Sequence, residues 1–285
     1  MSNLSGVLYV IATPIGNLQD ISARAIEKLN EVDLILAEDT RYSKRLLEHF
    51  GIKAVMHSCH EYNERESVPY LLDLIQQGKS IALISDAGTP LISDPGFQLV
   101  KSAHERNIRI VPVPGPSALI TALSIAGIAV DKFIFEGFLP EKDQARRKRM
   151  EMLADETRTM VFYEAPHRIL EFLDDASRIF GTERTVCLCR ELTKKFETIK
   201  RDSLENLLAF IRSDSLQQKG EFVVIIAGRE NRMDTENNEF SRIINILLKH
   251  DITIKQASAI VAEITGGRKN KIYKLALELS KSTMA

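Results

Sequence analysis

The sequence predicts an α/β protein of two domains followed by a small helical tail. Through the first 113 residues, short apolar runs rich in β-branched residues alternate with helix-like stretches, the rhythm of a parallel sheet covered by helices. A Pro-rich turn, VPVPGPSA (111–118), then interrupts the rhythm, and a second set of apolar runs follows it. Finally a polar stretch, GRENRMDTENNE (228–239), separates those runs from three segments with helical apolar spacing, as a linker would.

In the first domain, residues 1–118, the strands are GVLYVIA (6–12), DLILAE (33–38), SIALIS (80–85) and IRIVPV (108–113). Residues 22–29 and 68–77 have helical spacing, and Gly51 and Gly78 make helix ends. The domain should end near 116–121. The second domain, 119–230, carries KFIFEGF (132–138), TMVFYE (159–164), RTVCLCREL (184–192) and EFVVIIAG (221–228) as strands, with helices at 167–180 and 204–212. In the tail, 231–285, the helical segments are 240–248, 254–264 and 272–279. TGGR (265–268) stops a helix and turns tightly, so the tail reads as a trihelical unit of the helix-turn-helix kind.

Composition narrows the class. The 285 residues are 44% hydrophobic and 27% charged, ordinary for a globular chain. A short polar lead follows Met1 and no run of 18 apolar residues occurs, which predicts a cytoplasmic protein with no membrane span. Cys59, Cys187 and Cys189 are too few for a disulfide framework. The last two alternate in an apolar strand and read as core thiols rather than metal ligands. No metal site is expected. Net charge is −1, so any polyanion must be met locally: by the cluster Arg146, Arg147, Lys148 and Arg149, or by the stretch from Lys255 onward, where six Lys or Arg face two Glu.

Two segments suit ligand binding, because open α/β sheets bind ligands at the carboxyl ends of their strands. TPIGNL (13–18) follows the first strand, with Pro14 fixing the backbone and Gly16 admitting close approach. SDAGTPLISDPG (85–96) follows the third; two Gly, two Pro and two Asp in twelve positions make a shaped loop.

These two segments, with AEDTR (37–41), VPGPSA (113–118) and FYEAPHR (162–168), resemble the ribosomal small-subunit RNA methyltransferase I family, within the tetrapyrrole-methylase superfamily. The resemblance implies the two-domain tetrapyrrole-methylase (class III methyltransferase) fold. It further implies a homodimer that binds S-adenosyl-L-methionine between its domains and methylates the ribose 2′-hydroxyl of a cytidine in the decoding centre of 16S ribosomal RNA. By that likeness Pro14, Gly16, Asp86, Gly88, Thr89, Ile92, Ser93, Ser117 and Ala118 are cofactor contacts, with Tyr163 and Ala227 from the second domain. Thr89 stands where porphyrin-type relatives carry an Asp, which favours the RNA branch.

Methyl transfer from a sulfonium needs alignment, exclusion of water and a destination for the hydroxyl proton. Asp39 and Arg41 in AEDTR, with Glu191 in CRELTKKFET (189–198), are the candidates for catalysis; Glu38 and Lys194 lie beside them. Alternatively the carboxylates pair with neighbouring arginines. His167 and Arg168 serve either RNA or the helix they precede. For RNA binding the candidates are the 146–149 cluster and Arg268, Lys269, Lys271 and Lys274 of the tail, which otherwise is a packing appendage. A tetrapyrrole methyltransferase and a non-catalytic RNA-binding factor are the competing readings.

Overall fold

In the computed structural model, residues 6–60, 63–229, 232–250 and 252–282 are described. The chain divides after Ala227 into two compact units. The first unit holds two five-stranded sheets.

The first sheet comprises β1 (Val7–Ile11), β2 (Leu34–Ala37), β3 (Met56–Ser58), β4 (Ile81–Ile84) and β5 (Arg109–Val113), all parallel in the order β3-β2-β4-β1-β5. Four helices accompany it, α1 (Ala23–Glu31), α2 (Thr40–His49), α3 (Glu64–Gln76) and α4 (Phe97–Glu105), and α5 (Ala118–Ile125) follows β5. Both faces of the central strands are buried, which is why they read as continuous apolar runs. Leu8, Leu36 and Leu83 pack with Leu71 of α3 and Leu99 of α4, whereas Ile11, Ile35 and Ile84 pack with Leu29 of α1 and Leu47 of α2. Ser22 starts α1 by accepting a hydrogen bond from the Ala25 N–H at 3.1 Å.

The second sheet comprises β6 (Phe133–Phe138), β7 (Thr159–Glu164), β8 (Thr185–Arg190), β9 (Thr198–Ser203) and β10 (Phe222–Ile226), ordered β6-β7-β10-β8-β9. Only β6 and β7 are parallel; the other neighbours are antiparallel. Strand alternation sorts its core. Met160, Phe162, Leu188 and Val224 face α6 (Asp143–Met152), α7 (Ile169–Phe180) and α8 (Leu204–Ser213). Val161, Cys187, Cys189 and Val223 face the other way, onto Leu119, Ala122 and Leu123 of α5 and onto Ile15. Helix α5 therefore covers this face of the second sheet, with Ile15 from the loop after β1 beside it.

Two strands escaped the sequence reading. β3 is three residues long, and β9, TIKRDS, is a polar edge strand paired on one side; neither carries an apolar run for periodicity to register.

The second unit contains α9 (Arg232–Lys249), α10 (Ile254–Thr265) and α11 (Lys269–Ser282) around Phe240, Ile244, Val261, Ile272 and Ala276. Thr253 and Gln256 form a capping box at the start of α10, and Gly266 ends it.

Candidate active site

Three loops leave the carboxyl ends of β1, β4 and β5 and are stitched together. The Thr13 N–H donates to the Gly88 carbonyl at 2.8 Å and the Gly88 N–H donates back to the Thr13 carbonyl at 3.1 Å. The Thr13 hydroxyl donates to the Ser85 carbonyl at 3.0 Å, and the Thr89 hydroxyl to the Pro116 carbonyl at 3.0 Å. Gly88 adopts φ +84°, and a Cβ there would stand 3.3 Å from Ile15 Cγ2, so this turn favours glycine on conformational grounds. Leu91 and Ser93 follow at φ +73° and +67°, both left-handed. The 85–96 segment is thus the shaped loop its composition predicts.

Against these loops stand the carboxyl end of β7, the start of β10 and the turn after β8, enclosing a cavity of about 400 Å³, within the range of small-molecule sites. Gly88, Thr89, Ile92, Ser93, Ser117, Ala118 and Tyr163 line it. Pro14, Gly16 and Asp86 are not among its lining residues. Gly16 faces the 192–194 turn, where a Cβ would meet the Leu192 carbonyl oxygen at 3.0 Å, and Asp86 Oδ1 accepts the Asp39 N–H at 3.1 Å. Ala227 is displaced from the expected place. Antiparallel pairing puts Phe222 beside Glu164 at the cavity, and Ala227 follows Ile226 at the opposite end of β10, roughly 16 Å away at about 3.3 Å per residue.

The walls are largely apolar, with the Tyr163 hydroxyl among their polar groups. Glu164 shares the face of β7 that carries Met160 and Phe162, away from the cavity; its side chain is fully buried, with Oε1 accepting the Ala165 N–H at 2.7 Å and pairing with Arg168. The Tyr163 phenol accepts the Leu119 N–H at 3.1 Å. Burial pushes that phenol up to about 12, so its own proton remains available to a ligand. S-adenosyl-L-methionine, with acceptor nitrogens and oxygens for the Tyr163 hydroxyl and a flat adenine suited to Ile15, Ile92, Phe138 and Leu192, fits these walls.

The three residues expected for catalysis lie off the cavity lining and are tied up. Asp39 caps α2 through the Arg41 N–H at 2.8 Å and pairs with the Arg41 guanidinium at 2.9 Å; those bonds pull its carboxyl down to about 2. Arg41 is otherwise solvent-exposed. Glu191 Oε1 accepts from Lys194 at 2.9 Å and from the Glu221 N–H at 2.9 Å. Burial opposes its ionisation, but these two donors win and hold the carboxyl below its ordinary value. A carboxylate so satisfied is a poor proton acceptor.

Asp94, which the sequence reading passed over, does line the cavity. Burial first, then the Glu38 charge, pushes its carboxyl up to about 7 despite a hydrogen bond from Ser85. It was one of two Asp in the loop, and composition alone does not distinguish which of the pair turns inward.

The basic cluster also divides. Arg146 is 2% exposed; its Nε donates to Asp175 Oδ2 at 2.9 Å and Nη2 to Asp143 at 3.1 Å. It is a core ion pair and not a phosphate contact, because helix α6 turns it onto α7. Arg149 is held by Glu136 at 2.8 and 2.9 Å, Arg147 is loosely paired with Asp143 and Asp175, and Lys148 is exposed. Arg168 is likewise buried, on Glu164, whereas His167 is exposed. In the tail Arg268, Lys269 and Lys274 are exposed and Lys271 lies over the Phe240 ring at 5.6 Å.

Residues 7–208 match the family model of the tetrapyrrole (corrin/porphyrin) methylases, and residues 234–280 that of the RsmI C-terminal HTH domain. Among solved structures, the methyltransferase CobJ aligns with a TM-score of 0.58 at 17% identity, covering 80% of this chain and 97% of that one. Cobalt precorrin-4 methyltransferase CbiF aligns at 0.55 and 17%, covering 79% and 95%. The family match over residues 7–208, on this fold, makes the chain a member of the tetrapyrrole-methylase class. The sequence relatives are more specific: the ribosomal RNA small subunit methyltransferase I of Pseudomonas aeruginosa is 53% identical over 96% of this chain and 98% of its own length, and that of Pasteurella multocida 49% identical over 98% and 99%. The chain belongs to the ribosomal RNA small subunit methyltransferase I family. No helix among the described residues is long and apolar enough to cross a membrane.

Proposed function

We propose that this protein transfers the methyl group of S-adenosyl-L-methionine to the ribose 2′-hydroxyl of a cytidine in the decoding centre of 16S ribosomal RNA, in the cytoplasm and as a homodimer. The observation that carries the reading is the cavity between the two sheets, in a chain 53% identical over nearly its whole length to a ribosomal RNA small subunit methyltransferase I. When bound, the cofactor supplies a methyl group on a positively charged sulfur. The 85–96 loop and the start of α5 hold it against the second sheet, the Tyr163 hydroxyl meets one of its polar atoms, and Ile15, Phe138 and Leu192 exclude water. The exposed Lys148, Arg268, Lys269 and Lys274 supply phosphate contacts. Exposed apolar side chains on and after α5, Ile120, Ile125, Val130 and Phe133, support a self-association surface. A tetrapyrrole substrate draws only on a fold likeness and leaves the basic tail without a role.

The test is mass mapping of ribose methylation in small ribosomal subunits taken from cells lacking this protein and incubated with the purified enzyme and labelled cofactor. A new methyl group on the 2′-oxygen of one decoding-centre cytidine is expected. Label on a base, or on another region of the RNA, overturns the reading.

A further inference from the structure

Two cavities meet at Ser93 and Asp94. One is the cofactor cleft; the other is an open groove of about 450 Å³ beside the first sheet, walled by Glu38, Arg65, Phe97 and Gln98. Ser93 and Asp94 line both. A displacement at a methyl group needs donor and acceptor in line within one shared space, so the acceptor hydroxyl belongs at that junction. The groove carries the recognition chemistry of an unstacked nucleotide. Phe97 is 62% exposed and presents a ring on which a base can stack, and Arg65 is an exposed cation on the rim, suited to the adjoining phosphate.

We propose that the groove between Arg65 and Phe97 receives the target nucleotide and that Asp94 is the catalytic proton acceptor for its ribose hydroxyl. This rests on the methyl-transfer reading above. As the hydroxyl oxygen forms its bond to the methyl carbon, the carbon–sulfur bond breaks with its electron pair passing to sulfur. The O–H proton passes to an oxygen of the Asp94 carboxylate and later leaves through the open groove. The groups facing Asp94 are Glu38 after β2, Ser85 and Asp86 after β4, and Tyr163 of β7. Across the groove, Glu64 is committed to the Leu99 N–H at 3.0 Å. The surrounding carboxylates and the low exposure tune Asp94 toward neutrality, where a general base works best. A bound sulfonium lowers it again by its positive charge.

The experiment uses the full chain, small ribosomal subunits lacking the modification, and labelled S-adenosyl-L-methionine. Single-turnover rates are followed across about pH 5 to 9, at saturating and at limiting cofactor, with cofactor binding measured by calorimetry. The wild-type rate should rise with pH to a plateau, with the midpoint at lower pH when cofactor saturates. Asp94→Asn should bind cofactor but lose about 100-fold or more in rate, together with the acidic limb. Asp94→Glu should keep the limb and part of the rate. Phe97→Ala and Arg65→Ala should raise the subunit concentration needed for half-saturation by more than they lower the saturated rate. A flat wild-type profile, or Asp94→Asn within threefold of the wild-type rate, overturns the assignment. Loss of all turnover by the wild-type enzyme on these subunits removes the functional reading itself; turnover with an indifferent Asp94→Asn removes only the role of Asp94.

Discussion

Truncating Arg146 should cost the protein its stability and leave its grip on RNA phosphates unchanged. The guanidinium is 2% exposed and bonds Asp175 at 2.9 Å, with Asp143 at 3.1 Å and Glu171 at 3.6 Å around it. Asp175 is itself buried. Arg146→Ala strands that carboxylate, with only the half-exposed Arg147 at 3.8 Å in partial compensation. Breaking a buried pair by removing one partner costs about 3–5 kcal/mol. At roughly 2–4 °C per kcal/mol for a chain approaching this size, Tm should fall by about 6–20 °C. Lys148→Ala, on the exposed side of the same helix, should stay within about 0.5 kcal/mol of wild type. The double variant Arg146→Met with Asp175→Leu should recover much of the loss, since the stranded charge is gone. Calorimetric melting and the salt dependence of subunit binding, measured where every variant is folded, separate the roles. Should Arg146→Ala melt like wild type and bind RNA with a shallower salt slope, the ion-pair argument is wrong and the residue is a phosphate contact.

Gly88→Val places a branched side chain at φ +84° beside Ile15; at about 1–2 kcal/mol for the left-handed backbone alone, cofactor Kd in calorimetry should rise about tenfold or more, with circular dichroism unchanged. Deleting the residues after Asp234 should weaken binding to small subunits and flatten its salt dependence while cofactor affinity holds; an unchanged slope would show the tail to be ordinary solvated surface. Asp94 also predicts a stability trend. Its folded-state pKa, about 7, lies above its ordinary 3.8, so between those values the folded state binds more protons than the unfolded one and stability falls as pH rises. Urea titrations should therefore show wild type losing stability relative to Asp94→Asn from about pH 4 to 7; parallel curves would contradict the shift.

Much of the architecture was legible because its signals are local. β1, β4, β7 and β10 announce themselves as apolar runs, Ser22 caps α1, and the composition of 85–96 forbids a helix. What stayed hidden depends on pairing and direction. Arg146 and Lys148 are alike in sequence, yet a turn of α6 buries one on Asp175 and leaves the other in water. Asp39 and Glu191 read either as catalytic groups or as partners of neighbouring arginines, and only the structure pairs Asp39 with Arg41 and Glu191 with Lys194. Asp94 gains its character from burial and then from Glu38, 56 positions away, and Ala227 lies at the far end of β10 because strand direction, not strand existence, decides which end meets the cavity.

The place of β10 bears on how the chain comes to be folded at all. It is the last strand of the second sheet to be synthesised, yet it lies in the middle, between β7 and β8. Until residue 226 has emerged, β7 and β8 each present an unpaired inner edge, an open template for another chain. Closure must then bridge a sequence separation of about sixty residues to β7, a slow, long-range step. Glu221, Phe222 and Val223 of the cavity wall arrive in the same event, so a nascent chain cut short before β10 would have an incomplete cavity as well as open strand edges.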